Sequence, residues 1–408
     1  VPIETVETLI IGGGQAGLAM SEQLTKRNLP HLVLERHRIA ERWRSERWDS
    51  LHANGPAWHD RLPLFPIPDA NQNAFASRNQ MVAYFEEYAA RIAAPVRTGV
   101  TVTALHRKPD NSGFHVETSQ GVIEATNVVA ATGPFQSPLI PAIVPSDFGV
   151  LQIHSSTYKN PTQLPKGAVL VVGAGSSGAQ IADELSRAGR QLYLSIGRHQ
   201  RVPRHYRGQD FCWWLGVLGI WGLEVPDPGT KHITVAISGA HGGETIDYRR
   251  LAHRGATLLG RTGAFKAGIL QIDPNLAADL AEGDTSYRAV LDAADAYTQR
   301  EGLDLPPDPA ARIAEPELDC VTNPILHLDL AARGIASIIW ATGFAPDFGW
   351  VKCAPLNQHG LPTHQRGITE IPGLYLIGLS WLSRRASAFI FGAEHDATHI
   401  ANHIATRK

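Results

Sequence analysis

Val6-Glu7-Thr8-Leu9-Ile10-Ile11 runs straight into Gly12-Gly13-Gly14-Gln15-Ala16-Gly17, and the same order returns at Val169-Leu170-Val171-Val172 followed by Gly173-Ala174-Gly175-Ser176-Ser177-Gly178. Each apolar, β-branched run reads as a buried strand, and each glycine cluster as a tight turn. Helical patterns follow at Leu18–Arg27 and Ala179–Ala188, then short apolar strands at Leu32–Leu34 and Leu192–Ser195. A strand–turn–helix–strand unit that occurs twice predicts an α/β fold with two Rossmann-like dinucleotide-binding domains, three-layered, with parallel central sheets.

The glycines have separate tasks. Gly12 and Gly173 permit the turn, Gly14 and Gly175 let backbone approach a pyrophosphate, and Gly17 and Gly178 let the helix pack on the strand. Gln15 and Ala16, like Ser176 and Ser177, open helices whose N–H groups and dipole favour phosphate. The two units differ at the end of the second strand. Glu35, followed by Arg36, offers a carboxylate to a ribose diol. Ser195 stands in the matching place, with Arg198, Arg201 and Arg204 close behind. A guanidinium suits a 2′-phosphate, so the second unit is expected to take NADPH, with Arg198 the foremost candidate. A solvated basic loop is the plainer reading of these arginines. The first unit is expected to take FAD, because one chain with two cradles and no CxxC pair suits a flavin beside a pyridine nucleotide.

Composition sets the outer limits. The chain has 408 residues, 43% hydrophobic and 19% charged, enough for more than one domain with substantial cores. A formal net charge of −2 gives no reason to expect a nucleic-acid partner. The 18 histidines are scattered without metal-ligand spacing, so no metal is expected. Cys212, Cys320 and Cys353 are far apart, which suits a reducing cytoplasm better than a disulfide framework. The N-terminus enters a strand almost at once, without a signal-like segment, and no apolar run is long enough to span a bilayer.

Between the fingerprints, Ala53–Asn73 reads as a long loop. Met81, Tyr84, Phe85 and Tyr88 mark a helix, Val100–Ile123 a small antiparallel sheet and Val128–Ala131 a buried strand. Pro138–Pro145 reads as a crossover. Beyond Ser195 the pattern weakens to one helix at Tyr287–Arg300, strands at Ile335–Trp340 and Leu374–Ile377, and a terminal helix over Phe391–Ile404. The expected domains are 1–150 plus 331–408 for FAD and 151–330 for NADPH, with a substrate-pocket insertion over 205–330. The aromatic stretch Phe211–Trp221 admits four readings: core packing, a pocket wall, a membrane-surface contact or a homodimer contact.

Several segments together resemble the class B flavin-containing monooxygenases, which include the plant YUCCA-type enzymes. Ala131-Thr132-Gly133 and Ala341-Thr342-Gly343 each end an apolar strand, as in two-dinucleotide flavoproteins where the chain passes between domains. Phe148-Gly149-Val150-Leu151-Gln152-Ile153-His154-Ser155-Ser156-Thr157-Tyr158 is similar to the family's FxGxxxHxxx(Y/F) signature, with Val150 in place of a glycine. Trp48-Asp49-Ser50-Leu51-His52-Ala53-Asn54-Gly55-Pro56 is similar to the stretch whose asparagine lies over flavin and nicotinamide. The resemblance thus implies a catalytic role for Asn54; an ordinary Asn-Gly turn is the alternative. Trp43 falls where the family often has GGxW, although Ala40, Glu41 and Arg42 precede it here. Pro372–Gly378 looks like the strand returning to the flavin domain, with Gly378 close to the flavin and a helix from about Gly392 aimed at its pyrimidine edge. For Glu394, His395 and Asp396 the plain reading, residues of a helix start, is preferred.

The resemblance implies an FAD-dependent monooxygenase that uses NADPH and O2 to oxygenate a small organic substrate through a C4a-(hydro)peroxyflavin. For His154 it implies domain linkage more than acid–base catalysis. Two other readings share the same fingerprints: an NADPH-dependent flavin reductase or dehydrogenase without oxygen insertion, and a non-catalytic FAD/NADP(H)-binding sensor.

Overall fold

A computed structural model describes residues 3–68, 71–224 and 235–407. Residues 69–70 of the expected loop and 225–234 of the expected insertion lie outside the described residues. Two sheets organise the molecule. The larger has nine strands: seven along the path His364–Gln365, Ile368–Thr369, Leu374–Leu376, Gly121–Ala130, Glu4–Ile11, His31–Glu35, Val96–Thr98, and two, Phe114–Thr118 and Val102–Arg107, that branch from Gly121–Ala130. The smaller has five parallel strands in the order Thr257–Leu259, Leu192–Ser195, Ala168–Val172, Ile335–Trp340, Leu151–His154. The fold is therefore α/β with two Rossmann-like units, as the repeated fingerprint implies.

The first fingerprint helix is Gln15–Thr25 and the second Ser176–Arg187; both begin directly after the glycine turn. Each starts three residues earlier than its apolar pattern indicated, because helical backbone begins where N–H groups point outwards and does not wait for the first buried side chain. The helix marked by Met81 and Tyr84 is Arg78–Arg91. It starts on a capping box in which the Ser77 hydroxyl accepts from the Gln80 N–H and the Gln80 side chain accepts from the Ser77 N–H.

Gly121–Ala130 is one ten-residue strand where two were expected. Along one edge it pairs in parallel with Glu4–Ile11. Its other edge is shared, first with Phe114–Thr118 in antiparallel and then with the returning strand Leu374–Leu376 in parallel. Ile335–Trp340 lies in the second sheet, beside Ala168–Val172, so the chain crosses back to the first unit at Ala341–Gly343, about ten residues beyond the expected position 331.

The insertion contains a 26-residue helix, Leu276–Glu301, of which sequence periodicity marked only the second half. Gly283 and its polar neighbours hid the first half. A Cβ at Gly283 would lie 2.5 Å from Nε2 of His199, so close packing against that imidazole accounts for the mid-helix glycine. The aromatic stretch divides. Phe211–Val217 is a helix burying Phe211, Trp214 and Leu215, while Trp221 stands half-exposed in a short 3-10 turn.

Candidate active site

The first cradle is closed behind and open in front. Gly12 has φ +117°, and a Cβ there would meet the Ala131 carbonyl at 2.5 Å; a Cβ at Gly17 would sit 1.9 Å from the Gly12 carbonyl. Around a Cβ at Gly14 there is no atom of the described residues within 4 Å. The helix start at Gly14 has no side-chain cap and no acidic residue in its first turn, which leaves its N–H groups for an anion. Glu35 accepts from Gly13 N–H at 2.7 Å and from His37 N–H at 2.9 Å, with lone pairs to spare for a ribose diol. This donor and acceptor set fits FAD.

The remaining first-cradle candidates lie around it. The Gln15 amide donates to the Ala388 carbonyl at 3.4 Å, and a Cβ on Gly378 would be 2.5 Å from that of Ala16, so the returning segment is drawn onto the helix start. Thr132 Oγ1 and the Gly133 carbonyl both accept from Gln136 Nε2. Trp43 is partly buried on the first core, 6.4 Å from the Phe85 ring, and Arg36 is exposed. The terminal helix Ala393–Thr406 is capped by Gly392, whose missing Cβ would lie 1.9 Å from the Ala386 carbonyl.

The second cradle repeats this geometry. Gly173 has φ +109° and its Cβ would meet the Ala341 carbonyl at 2.4 Å; that of Gly178 would be 1.8 Å from the Gly173 carbonyl. Gly175 caps the helix with no side-chain bond. The two Ala-Thr-Gly segments therefore perform one steric task twice, each pressing its alanine carbonyl on the first glycine of a fingerprint. Ser176 donates to the Val235 carbonyl at 2.5 Å, and Ser177 follows it in the first helical turn. The pyrophosphate-facing features suit a second dinucleotide.

Its adenosine end differs. Ser195 is buried, donating to the Gly260 carbonyl at 2.9 Å and accepting from Thr262 N–H at 3.1 Å. Arg198 is exposed and pairs with Glu282; Arg201 pairs with Asp247 and Asp284 and lies 4.3 Å over Tyr287. Arg261 escaped the sequence reading. It follows the strand Thr257–Leu259, which no pattern had marked, and packs on Gly197, whose Cβ would be 2.9 Å from the Arg261 Cγ. It is exposed and has no carboxylate within ion-pair distance among the described residues.

Arg204 is placed elsewhere. Its buried guanidinium forks onto Asp210 at 2.5 and 3.0 Å, lies 4.7 Å over the Phe75 ring and donates to the Asn54 carbonyl at 2.5 Å. The N–H of the same peptide unit, on Gly55, donates to Asp60 Oδ2 at 2.7 Å. The Asn54–Gly55 peptide is thus held from both sides. The Asn54 side-chain carbonyl accepts from Gln180 Nε2 at 2.9 Å, and Gln180 belongs to the second fingerprint helix. Asn54 therefore stands at the seam between the cradles.

His154 also spans the units: Nε2 bonds the Gly343 carbonyl at 3.0 Å and Nδ1 the Ser156 hydroxyl at 2.9 Å. Burial pushes its pKa down. Thr342 Oγ1 donates to the Leu139 carbonyl nearby. All three cysteines are free, and burial raises the Cys212 thiol well above its ordinary range, which makes it a packed group and not a thiolate nucleophile. No cluster able to hold a metal occurs among the described residues, and none of their helices is long and apolar enough to cross a membrane.

Two dinucleotide cradles meeting at an asparagine seam define a flavin-dependent oxidoreductase. Comparison with known proteins agrees. Residues 9–209 match the family model described as pyridine nucleotide-disulphide oxidoreductase. An uncharacterized CzcO-like oxidoreductase of Geobacillus kaustophilus is 32% identical over 98% of both chains. Indole-3-pyruvate monooxygenase YUCCA1 of Oryza sativa is 35% identical over 49% of this chain and 50% of its own. The flavin-containing monooxygenase of Stenotrophomonas maltophilia shares the fold, with a TM-score of 0.64 and 21% identity over 99% of both chains. The bacillithiol disulfide reductase of Staphylococcus aureus also scores 0.64, at 14% identity over 100% of both. The chain belongs to the CzcO-like family of oxidoreductases and is similar to the flavin-containing monooxygenases.

Proposed function

We propose that the protein is a monooxygenase that holds FAD in the first cradle, takes reducing equivalents from NADPH in the second and uses O2 to oxygenate a small organic substrate. The observation that carries this reading is the seam. Asn54, set on the first unit, is bonded to Gln180 on the helix of the second, while its own peptide is clamped by Arg204 and Asp60. A carboxamide fixed this way can offer a donor and an acceptor to groups meeting between the cradles without changing charge over the working pH range. FAD, when bound, supplies hydride acceptance and oxygen activation. The chain contributes orientation and the exclusion of water. Glu35 holds the ribose of the flavin nucleotide, the N–H groups after Gly14 and Gly175 hold the two pyrophosphates, and Arg198 and Arg261 flank the place of the 2′-phosphate. The YUCCA relatives and the fold shared with flavin monooxygenases support oxygen insertion.

The cofactor-loaded protein tests it. With a panel of small organic acceptors under 18O2, one NADPH and one O2 should be consumed per labelled product. NADPH oxidation matched by hydrogen peroxide, with no labelled product across the panel, would favour the reductase reading. Failure of NADPH to bleach the flavin anaerobically would favour a sensor.

A further inference from the structure

We propose that Gln180 is a positioning residue that sets which end of the Asn54 carboxamide the seam offers: it engages the oxygen and leaves the N–H2 end as a donor for an oxygen acceptor on the nicotinamide half of NADP(H). The inference deepens the proposed function and rests on the second cradle holding that nucleotide.

The constraint starts at a backbone carbonyl. Gln180 is 8% exposed and lies in the helix Ser176–Arg187. Its Nε2 donates to the Ile237 carbonyl at 2.5 Å and to Asn54 Oδ1 at 2.9 Å. A backbone carbonyl can only accept, so the nitrogen of the Gln180 amide must face Ile237. That nitrogen carries two hydrogens. The second goes to Asn54, which must answer with its oxygen. Turning the Asn54 amide over would set donor against donor.

Both ends of this relay are fixed. One turn earlier, Ser176 donates to the Val235 carbonyl at 2.5 Å, so the helix grips alternate carbonyls of the same segment. Val235–Ala236 also pairs in parallel with Gln200–Arg201, and a Cβ on Gly239 would lie 2.0 Å from the Ala53 carbonyl. The Ile237 carbonyl is thus held between a helix, a strand and the loop that carries Asn54. At the other end Arg204 and Asp60 clamp the Asn54–Gly55 peptide. Asn54 Nδ2, by contrast, makes no hydrogen bond among the described residues and is not sealed from solvent, Asn54 being only half-buried. A donor with no protein acceptor, aimed by two successive amides, favours an oxygen over an N–H. The carboxamide of nicotinamide carries such an oxygen. Gln180 stands one turn behind the helix start proposed to hold the pyrophosphate, so nucleotide and amide share one rigid element.

Melting of the FAD-loaded protein reads the amide polarity. Asn54→Asp keeps the oxygen that Gln180 needs and alters only the unbonded end, so the melting temperature should stay within about 1 °C. Gln180→Glu sets a carboxylate oxygen against the Ile237 carbonyl and should lower it by roughly 2–4 °C. The opposite polarity would reverse that ranking. Calorimetry with the oxidised protein reads the positioning role. NADP+ should bind about fivefold more weakly to Asn54→Ala and about threefold more weakly to Gln180→Met. The double variant should be no weaker than Asn54→Ala, because Gln180 acts through Asn54. Binding of 2′,5′-ADP, which lacks the nicotinamide half, should be unchanged in all three. The proposal is overturned if Asn54→Asp melts below Gln180→Glu or level with it. It is equally overturned if the losses in NADP+ affinity add, are absent, or are matched by 2′,5′-ADP. Should the unsubstituted protein bind neither nucleotide, the donor role falls together with the assignment of the second cradle. No turnover is read, so failure of the monooxygenase reading is detected separately, by the 18O2 experiment.

Discussion

The two cradles are near copies in backbone and opposites in chemistry. In both, the first glycine sits under an alanine carbonyl, and the last glycine lies within 2 Å, Cβ to oxygen, of the first. In the first unit the strand after the helix ends in Glu35, which turns toward the cradle and bonds Gly13 N–H. In the second it ends in Ser195, which turns away and is spent on Gly260 and Thr262. On the proposed function, the two glycine turns hold the pyrophosphates and Glu35 marks the flavin nucleotide, while in the second unit the 2′-phosphate falls to Arg198 and Arg261 on the loops around the buried Ser195.

The sharpest way to break the comparison is to fill each cradle in turn. Gly17→Ala and Gly178→Ala place methyl groups 1.9 and 1.8 Å from a carbonyl oxygen, a clash that should weaken nucleotide binding on the order of 100-fold or more. Gly17→Ala should yield protein largely without flavin absorbance. Gly178→Ala should keep the flavin yet lose its reduction by NADPH. Equal loss of flavin in both would deny the division of labour.

Glu35→Ala and Ser195→Ala sharpen the contrast with a smaller effect. The first removes acceptors from the cradle, and FAD affinity should fall by ~1–3 kcal/mol, read as the dissociation constant of the flavin. The second leaves a buried carbonyl and N–H unpaired, and should lower stability by ~1–3 kcal/mol in denaturant melts without changing the ratio of NADPH to NADH turnover. A changed ratio would put Ser195 in the nucleotide site after all. Arg198→Ala and Arg261→Ala should each raise the KM for NADPH by roughly three- to tenfold and leave that for NADH alone, because both guanidinia are exposed and screened.

The smallest expected effect is in pH. His31 in the first unit and His199 in the second are held neutral below the ordinary 6.5, in both cases mainly by burial. The folded protein thus binds these protons less readily than the unfolded chain. Their contribution is complete above about pH 6.5 and is lost as pH falls toward the depressed folded values. Melting temperature should be flat above neutrality and decline on acidification. His199→Gln should soften that decline more than His31→Gln, since His199 is the more deeply buried. An acid limb untouched by either substitution would assign it to other groups.

Sequence alone determined the repeated strand–turn–helix units, the steric duty of their glycines and the acid of the first cradle. These rest on backbone sterics within a few dozen residues, which any fold must respect. It was weaker wherever a residue answers to a distant segment. Gly283 hid half a helix because its reason is His199, and Ile335–Trp340 was identified as a strand but not placed in its sheet. Only the tertiary structure decided that Arg204, one of three neighbouring arginines, clamps a peptide 150 residues away, that Ser195 is sealed inside and that Arg261 is exposed with no carboxylate partner among the described residues. The physical reason is that a side chain's type fixes what it can bond, but its partners are whichever groups packing brings within about 3 Å, and no local pattern encodes that.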